Sequence, residues 1–400
     1  MENKMRDKNY DTIPVGRLGI IPVEGCQNLM DKVDKYLIQW REERRQTSPL
    51  KEDSMAFEGY LRDSYLIEAQ CNRFGSGEAK AVLNQSVRGD DVFIMVDVCN
   101  YSVTYSMCGQ VNHMSPDDHF SNLKRVIAAV GGKARRINVI MPFLYESRQH
   151  RRTGRESMDC ALALQELVAM GVDNIFTFDA HDPRIQNAIP LSGFESVQPT
   201  YQFIKALLGV EKDLTIDKDH MMMISPDEGA MGRAVYYANM LGLDVGMFYK
   251  RRDYTRVVNG RNPIVAHEFL GDSVEGKDVI IIDDMISSGE SMLEVAKELK
   301  RRKARKVFVC ATFGLFTNGL AEFDKYYEEG LIDRVLTTNL IYQRPELLER
   351  SYYTSVEMGK YLALLIDALN HDVSISHLLN PVDRIQNLLE RYKAKQEIDN

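Results

Sequence analysis

A pair of adjacent carboxylates, followed by small hydroxyl residues, is the feature of this 400-residue chain with the clearest potential for chemistry. The apolar run 279–282 leads through Asp283 and Asp284 into a loop that opens a helical pattern and adds the hydroxyls of Ser288 and Ser291. Backbone N–H groups at a helix start bind anions, and carboxylates accept hydrogen bonds from sugar hydroxyls or help to hold a magnesium ion. A phosphate site beside a diol site describes a ribose phosphate. An Asp-rich turn with a serine cap explains the segment about equally well, because short motifs also match by chance.

Four other apolar runs also end in polar residues. Asp179, His181 and Asp182 follow the run 175–178, and Asp227 follows the run 221–224. Each cluster alone is more often a turn or a solvated face, but together they supply ligands for magnesium and cations for a polyphosphate. Phosphoryl transfer requires such a set, since it depends on positioning and charge neutralisation. The basic side chains after the other two runs are Arg148, Arg151, Arg152, Lys250, Arg251 and Arg252.

The elements that must position these residues alternate between strands and helices from about residue 92 onward. Several short runs are continuously apolar, as the strands of a parallel sheet covered on both faces must be. Between them, apolar residues follow helical spacing, as at Leu123, Val126 and Val130, where Ser121 is a candidate N-terminal cap. This order predicts an α/β fold with mainly parallel sheets flanked by helices. The predicted strands are 92–96, 137–141, 175–178, 221–224, 245–248, 279–282, 307–313 and 335–341.

The number of strands exceeds one small sheet, so we expect two similar α/β domains. The first would span residues 1–200 and the second residues 201–400, with a break near 190–215 and a C-terminal helical tail. Residues 41–64 and 104–118 are interpreted as insertions in the first domain. The stretch 41–53 is charged and poor in apolar residues, which predicts a solvated segment, and 104–118 has an irregular pattern.

Composition and charge argue against several classes of protein. Hydrophobic residues make up 44% of the chain and charged residues 27%, which is typical of a globular protein. The net charge of −8 argues against a dedicated nucleic-acid-binding protein, which usually carries a basic domain. The N-terminal segment lacks the apolar stretch of a signal peptide, and no run approaches the ~20 apolar residues of a membrane span. Six cysteines without a CxxC pair favour a reduced, cytoplasmic protein, with no membrane and no nucleic-acid partner.

The polar clusters and their surrounding segments resemble the ribose-phosphate pyrophosphokinase family, also called phosphoribosyl pyrophosphate synthetases. The resemblance runs from Phe74 to Leu379. One such motif would be weak, but six in the same order across two domains are specific. The segments are FGSGEAKAVLNQSVRGDDVFIM, PFLYESRQHRR, FTFDAHDPRIQ, ISPDEGAMGRA, YKRR and IIIDDMISSGES.

This resemblance implies two phosphoribosyltransferase-type domains and a transferase of nucleotide biosynthesis. The family reaction moves the β,γ-diphosphoryl group of ATP to the 1-hydroxyl of ribose 5-phosphate, with Mg²⁺ as cofactor, and releases AMP. By resemblance, His181 and Asp227 are magnesium residues, and Asp227 also contacts ribose 5-phosphate. The other implied residues are Asp283 and Asp284 for the ribose hydroxyls, Ser287, Ser288, Gly289 and Ser291 for the 5-phosphate, Phe74, Glu78, Arg148 and Gln149 for ATP, and Lys250 and Arg252 for catalysis.

The resemblance also implies an assembly. Phe74 and Glu78 would reach ATP from a neighbouring protomer, which makes the chain a homo-oligomer built from dimers, with a hexamer as one candidate.

Departures from the family pattern keep two alternatives open. His150 replaces an aspartate of the arginine–glutamine loop, and Glu290 replaces a small residue of the ribose-phosphate loop. A phosphoribosyltransferase would share the 283–291 loop but would not require the other motifs. A non-catalytic regulatory homologue would keep the fold and lose key charges, whereas Lys250, Arg252 and His181 are retained here.

Overall fold

The computed structural model describes residues 12–47, 59–252 and 264–399 of the chain. They divide into two compact units. The first contains Met1–Gln198, Leu340–Tyr342 and Glu357–Asn380, so two late segments return to it. The remaining segments form the second unit. The boundary expected at residue 200 stays a prediction.

Strands and helices alternate along most of the chain. The strands are β1 (Arg17–Pro22), β2 (Ala69–Arg73), β3 (Ala79–Leu83), β4 (Asp90–Met95), β5 (Thr104–Met107), β6 (Gln110–His113), β7 (Arg136–Ile140), β8 (Asn174–Phe178), β9 (Gly193–Val197), β10 (Met221–Ser225), β11 (Asp244–Arg252), β12 (Ile264–Leu270), β13 (Asp278–Ile286), β14 (Val307–Gly314), β15 (Arg334–Thr338) and β16 (Tyr353–Val356). The helices are α1 (Gln27–Thr47), α2 (Pro116–Val130), α3 (Asp159–Ala169), α4 (Thr200–Val210), α5 (Met231–Leu241), α6 (Glu290–Arg301), α7 (Ala321–Glu328), α8 (Pro345–Leu348), α9 (Gly359–Asn370), α10 (Ser376–Leu379) and α11 (Val382–Asp399), with a 3₁₀ turn at Pro183–Ala188.

A five-stranded parallel sheet forms the centre of the first unit. Its strand order is β1-β4-β7-β8-β9. Every residue of β4 is buried, which explains why its sequence is a continuous run rather than an alternating one. The sheet packs with the apolar faces of α2 and α3 in one hydrophobic core.

A seven-stranded sheet forms the centre of the second unit. Its strand order is β12-β11-β10-β13-β14-β15-β16, and only the β11–β12 pair is antiparallel. The inner face of α6 and the apolar strands β10, β13 and β14 share its core. The predicted α/β class with mainly parallel sheets and flanking helices is therefore confirmed.

The interpretation of residues 104–118 as irregular was wrong. Strands β5 and β6 form an antiparallel hairpin whose turn, Cys108 and Gly109, has positive φ at both residues, as a two-residue type I′ turn requires. Helix α2 then begins at Pro116, earlier than the cap expected at Ser121. Ser115 caps it, with reciprocal hydrogen bonds to Asp118 that form a capping box.

The prediction that residues 41–53 are solvated was also wrong at the start of that stretch, whereas its status as an insertion stays a prediction. Residues 41–47 continue α1, and the side chain of Arg41 is fully buried. Its guanidinium donates to the Asn370 side chain at 2.6 Å and lies 3.5 Å from the Asp367 carboxylate on α9. A charged residue can be buried here because its partners, far away in sequence, are buried with it. Residues 48–58 lie outside the described part of the chain.

Within the described ranges, no helix is long and apolar enough to cross a lipid bilayer.

Candidate active site

The adjacent carboxylates lie at the end of a central strand in the second unit. Asp283 and Asp284 belong to β13, which is paired on both sides by parallel strands. Asp284 is buried and Asp283 is partly exposed. Ser287 and Ser288 connect this strand to α6, so the sequence produces a strand, a short loop and a helix start in the order that an anion site requires.

A cation from the neighbouring helix contacts this pair. Nη1 of Arg233, on α5, lies 3.3 Å from Oδ1 of Asp283, and the same oxygen accepts the Asp284 N–H at 2.8 Å. Burial and the adjacent Asp284 raise the pKa of Asp283 well above its usual value, and Arg233 opposes that rise. Hydroxyl donors or a further cation that reach Asp283 would therefore favour its ionised form.

Gly289 fixes the shape of the loop before α6. Its φ is +87°, and a Cβ at this position would lie 2.5 Å from ring atoms of Phe323. It is the N-cap residue of α6 and, as a glycine, offers no side chain to cap the helix; the Glu290 N–H instead donates a long hydrogen bond, 3.4 Å, to Ser288 Oγ. The N–H groups of the first turn and the helix dipole therefore favour an anion, although exposed Glu290 adds a negative charge there.

Asp227 lies beyond the end of the neighbouring strand. Its strand, β10, pairs with β13 in parallel, from Met221 opposite Asp278 to Ile224 opposite Ile281. The Asp227 carboxylate accepts the N–H groups of Gly229 and Ala230 at 2.9 and 3.2 Å, which holds the turn before α5. The turn of Asp227 and the 283–291 loop thus belong to adjacent strands at the same sheet edge.

Lys250 and Arg252 extend from the other side of β10. Strand β11 pairs with β10 in parallel up to Met247 and then continues beyond the end of β10, where it stays paired with β12 and places Lys250 opposite His267. The strand is longer than the sequence predicted. The side chains of Lys250 and Arg252, and residues 253–263 of the polar stretch that follows, lie outside the described part of the chain.

In the first unit, the predicted arginine–glutamine loop and the aspartate-x-histidine loop meet. They follow β7 and β8, which are parallel neighbours. His150, next to Arg148 and Gln149, has Nε2 at 3.4 Å from Asp182 Oδ2, and its ring centroid lies 5.5 Å from that of His181. Arg184 and His150 hold the pKa of Asp182 at about 2. The loops that carry Arg148, Gln149 and His181 are therefore brought together.

Phe74 and Glu78 lie in the exposed turn between β2 and β3. The Phe74 N–H donates to the Glu78 carbonyl at 2.7 Å, and the Gly77 N–H donates to the Phe74 carbonyl at 2.9 Å. About half of the Phe74 side chain is exposed. Among the described residues, no hydrogen bond, ion pair or ring contact joins this turn to Arg148 or Gln149.

Two residues near these loops were not recognised from the sequence. Arg233 could have been noticed, because a cation on the first turn of the helix after β10 faces the edge where the carboxylates end. Asp97 follows β4, is buried, and accepts the N–H groups of Cys99 and Tyr342 at 2.9 and 2.6 Å. Burial raises the pKa of Asp97 to about 7. Its partner Tyr342 is remote in sequence, so no local pattern could indicate this site.

The fold and the strand-end loops define a class: a two-unit α/β protein whose second unit has a strand–loop–helix turn with two adjacent carboxylates. Comparison with known proteins gives the family. The model of the N-terminal domain of ribose phosphate pyrophosphokinase matches residues 18–171, and that of the phosphoribosyl synthetase-associated domain matches residues 255–380. The chain belongs to the ribose-phosphate pyrophosphokinase family.

Individual relatives agree with this assignment. The chain is 31% identical over 317 residues to a ribose-phosphate pyrophosphokinase of Vibrio parahaemolyticus, covering 78% of this chain and 91% of that protein. It is 34% identical over 277 residues to one from Mycoplasma pneumoniae, covering 68% and 76% of the two chains. Its fold is similar to phosphoribosylpyrophosphate synthetase from Mycobacterium smegmatis, with a TM-score of 0.69, 21% identity and coverage of 89% and 99%.

Proposed function

We propose that this chain is a ribose-phosphate diphosphokinase. It transfers the β,γ-diphosphoryl group of ATP to the 1-hydroxyl of ribose 5-phosphate, giving phosphoribosyl pyrophosphate and AMP. The oxygen of the 1-hydroxyl attacks the β-phosphorus, the bond between the α,β-bridging oxygen and the β-phosphorus breaks, and the hydroxyl proton leaves to solvent. The family assignment supports this reaction, and the arrangement of the second sheet supports the residue roles.

The arrangement of three neighbouring strands is the main support for these residue roles. Strands β11, β10 and β13 are consecutive and parallel, so their carboxyl ends meet at one edge of the sheet. That edge is where ligands bind in open α/β sheets. It carries the segments of Lys250 and Arg252, then Asp227, then Asp283 and Asp284. A segment that contains basic residues, on a strand neighbouring those that end in carboxylates, suits a reaction in which charged phosphates must be held against a sugar.

The ribose 5-phosphate would bind between β13 and α6. Asp283 and Asp284 would accept hydrogen bonds from the ribose hydroxyls, with Arg233 keeping Asp283 in position. The start of α6 would hold the 5-phosphate through backbone N–H groups and the side chains of the loop. The phosphate-binding residues in this proposal are Ser287, Ser288, Gly289 and Ser291.

The ATP would bind at the loops of the first unit. Arg148 and Gln149 would contact the nucleotide from the loop beside His181, and Phe74 and Glu78 would complete the site from a neighbouring protomer. This requires a homo-oligomer, and we propose one built from dimers. Lys250 and Arg252 would neutralise the charge that develops on the transferring phosphates.

Magnesium suits this set of donors. In the described residues, no three His, Cys, Asp or Glu side chains converge as a metal cage. Mg²⁺ does not require one, because it keeps several waters and binds through one or two carboxylates plus substrate phosphates. Asp227 would supply a carboxylate and His181 would lie beside the metal–nucleotide complex. The bound ion would neutralise phosphate charge during transfer.

A cytoplasmic location belongs to the same proposal. All six cysteines lie in described residues and are unpaired, and free thiols are typical of reducing compartments.

The proposal is tested by incubating the full chain with ATP, ribose 5-phosphate and Mg²⁺ and separating the nucleotides by ion-exchange chromatography. We expect AMP to form only when ribose 5-phosphate is present, together with an equal amount of phosphoribosyl pyrophosphate. ADP would indicate an ordinary kinase. Binding of both substrates without any product would favour a regulatory homologue. Consumption of added phosphoribosyl pyrophosphate with a nucleobase would favour a phosphoribosyltransferase.

A further inference from the structure

The hairpin of β5 and β6 packs against the turn that carries Phe74 and Glu78. The Cys108 N–H, in the β5–β6 turn, donates to the Gly75 carbonyl at 2.9 Å. A Cβ at Gly77 would lie 2.6 Å from Sδ of Met107, so the two hairpins approach closely. The sequence resemblance identifies 104–118 as residues added to the usual family pattern, and the structure gives these residues a contact surface.

Arg73 links the two hairpins to the first helix after them. Its Nη1 donates to the Gly77 carbonyl at 3.0 Å, a hydrogen bond that stabilises the turn between β2 and β3. Its Nη2 lies 3.0 Å from the Asp118 carboxylate, and its guanidinium carbon lies 4.1 Å above the ring of Tyr105. Only 11% of the Arg73 side chain is exposed, so these contacts are largely shielded from water.

The contacts from Arg73 and the β5–β6 hairpin stabilise the turn between β2 and β3. A two-stranded hairpin is marginally stable on its own, and the β2–β3 turn is exposed to solvent. An exposed turn that must present an aromatic ring to a ligand loses conformational entropy on binding unless it is already ordered. The cation–π contact and the backbone bond from the second hairpin order this turn in advance.

We propose that Tyr105 is a positioning residue for nucleotide binding: through Arg73, it and its hairpin hold the Phe74–Glu78 turn in the conformation that receives ATP. The inference rests on the proposed function, because only that function assigns ATP to this turn. The inference goes beyond the proposed function, because it gives the β5–β6 hairpin a role in nucleotide affinity and not in binding of ribose 5-phosphate.

The test compares three variants of the full chain with the wild type. Tyr105→Ala removes the ring above Arg73, Tyr105→Phe keeps the ring and removes only the hydroxyl, and Val111→Ala changes an exposed residue of the same hairpin. We expect Tyr105→Ala to raise KM for ATP about tenfold while KM for ribose 5-phosphate and kcat change less than about twofold. The other two variants should behave as the wild type.

Amide hydrogen exchange measures the same effect without activity. The amides of Phe74, Gly77 and Cys108 should exchange about tenfold faster in Tyr105→Ala and at the wild-type rate in Tyr105→Phe. An active Tyr105→Ala enzyme with an unchanged KM for ATP would overturn the inference and leave the proposed function intact. If the wild type makes no AMP, the proposed function fails and the nucleotide role of Tyr105 fails with it. Amide exchange rates in Tyr105→Ala equal to those of the wild type would show that Tyr105 does not order the turn, whatever the activity.

Discussion

The guanidinium of Arg233 lies 3.3 Å from the carboxylate of Asp283, and this contact joins the helix after one strand to the end of the next. Arg233 follows the Asp227 turn, and Asp283 precedes the loop of Ser287 and Ser288. The ion pair therefore couples the positions of two loops that share one substrate in the proposed reaction.

Loss of the buried carboxylate should impair sugar binding selectively. Asp284→Ala leaves ribose hydroxyls without an acceptor, which costs roughly 1–3 kcal/mol. We expect KM for ribose 5-phosphate to rise about tenfold or more while the Kd for ATP stays unchanged by calorimetry. Asp272→Ala removes an exposed carboxylate from the same unit and serves as the control. An equal loss of ATP affinity would refute the assignment of Asp284 to the sugar.

Gly289→Ala should destabilise the chain more than its backbone conformation alone explains. The variant combines a left-handed φ with a Cβ 2.5 Å from the Phe323 ring. Gly330→Ala is the matched control, because Gly330 has φ +69° and no atom within 4 Å of its added Cβ. We expect urea unfolding to show a cost of about 1 kcal/mol for the control and about 2–4 kcal/mol for Gly289→Ala. Equal losses of unfolding free energy in the two variants would show that the Phe323 ring can move aside without strain.

Mild acid should weaken the contact between α1 and α9. Burial lowers the pKa of His371, which directly follows α9, to about 4. Its Nε2 accepts a hydrogen bond from the Tyr60 hydroxyl at 3.1 Å and lies 3.3 Å from Nη1 of Arg44 on α1. The unfolded chain binds the proton first, at its ordinary pKa of 6.5, so this stability is present above 6.5 and is lost as pH falls toward 4. His371→Gln should flatten the fall in unfolding free energy across that window. Exposed His113→Gln is the control, and identical pH profiles for wild type and His371→Gln would contradict this account.

Removing Lys250 should affect turnover more than binding. A cation placed where negative charge develops acts on the transition state, and removal of one such donor typically costs ~10²–10³ in rate. We therefore expect Lys250→Ala to lower kcat at least about a hundredfold with little change in KM for ATP. Lys297→Ala, on the exposed face of α6, should be nearly neutral. Near-normal kcat in Lys250→Ala would exclude this residue from the mechanism.

Composite sites predict that two impaired variants rescue each other. Phe74→Ala and Lys250→Ala would damage different halves of a shared site, so a mixed dimer keeps one intact site. After unfolding together and refolding, the mixture should recover about a quarter of wild-type activity. Each variant refolded alone is the control. No recovery, or an active species with the light-scattering mass of one chain, would rule out sites shared between protomers.

The positions of the strand-end residues were predictable because they depend on local order. Apolar runs predicted the parallel strands, and the polar residues that follow those runs, such as Asp227 and Asp283, indicated the sheet edge at which we propose that ligands bind. Arg41 and Tyr342 could not be placed in this way. Arg41 lies in a charged stretch that is typical of a solvated segment, and its burial depends on Asp367 and Asn370 at the other end of the chain.

The hairpin of β5 and β6 was a second feature that could not be predicted from the sequence. Cys108 and Gly109 form a two-residue turn, but cysteine seldom has positive φ, so the sequence carries only half of the usual turn signal. The contact between Tyr105 and Arg73 then joins two hairpins that are separate in sequence. The sequence pattern of each hairpin is local, whereas the contact that stabilises them together forms only in the folded unit.

Diphosphoryl transfer from ATP can be followed through the fate of its γ-phosphorus. The full chain is incubated with Mg²⁺, ribose 5-phosphate and ATP labelled with ³²P at the γ-phosphorus, and the products are separated. We expect the label to appear entirely in phosphoribosyl pyrophosphate while unlabelled AMP accumulates in equal amount. Label in a ribose bisphosphate accompanied by ADP, or in inorganic phosphate alone, would contradict it.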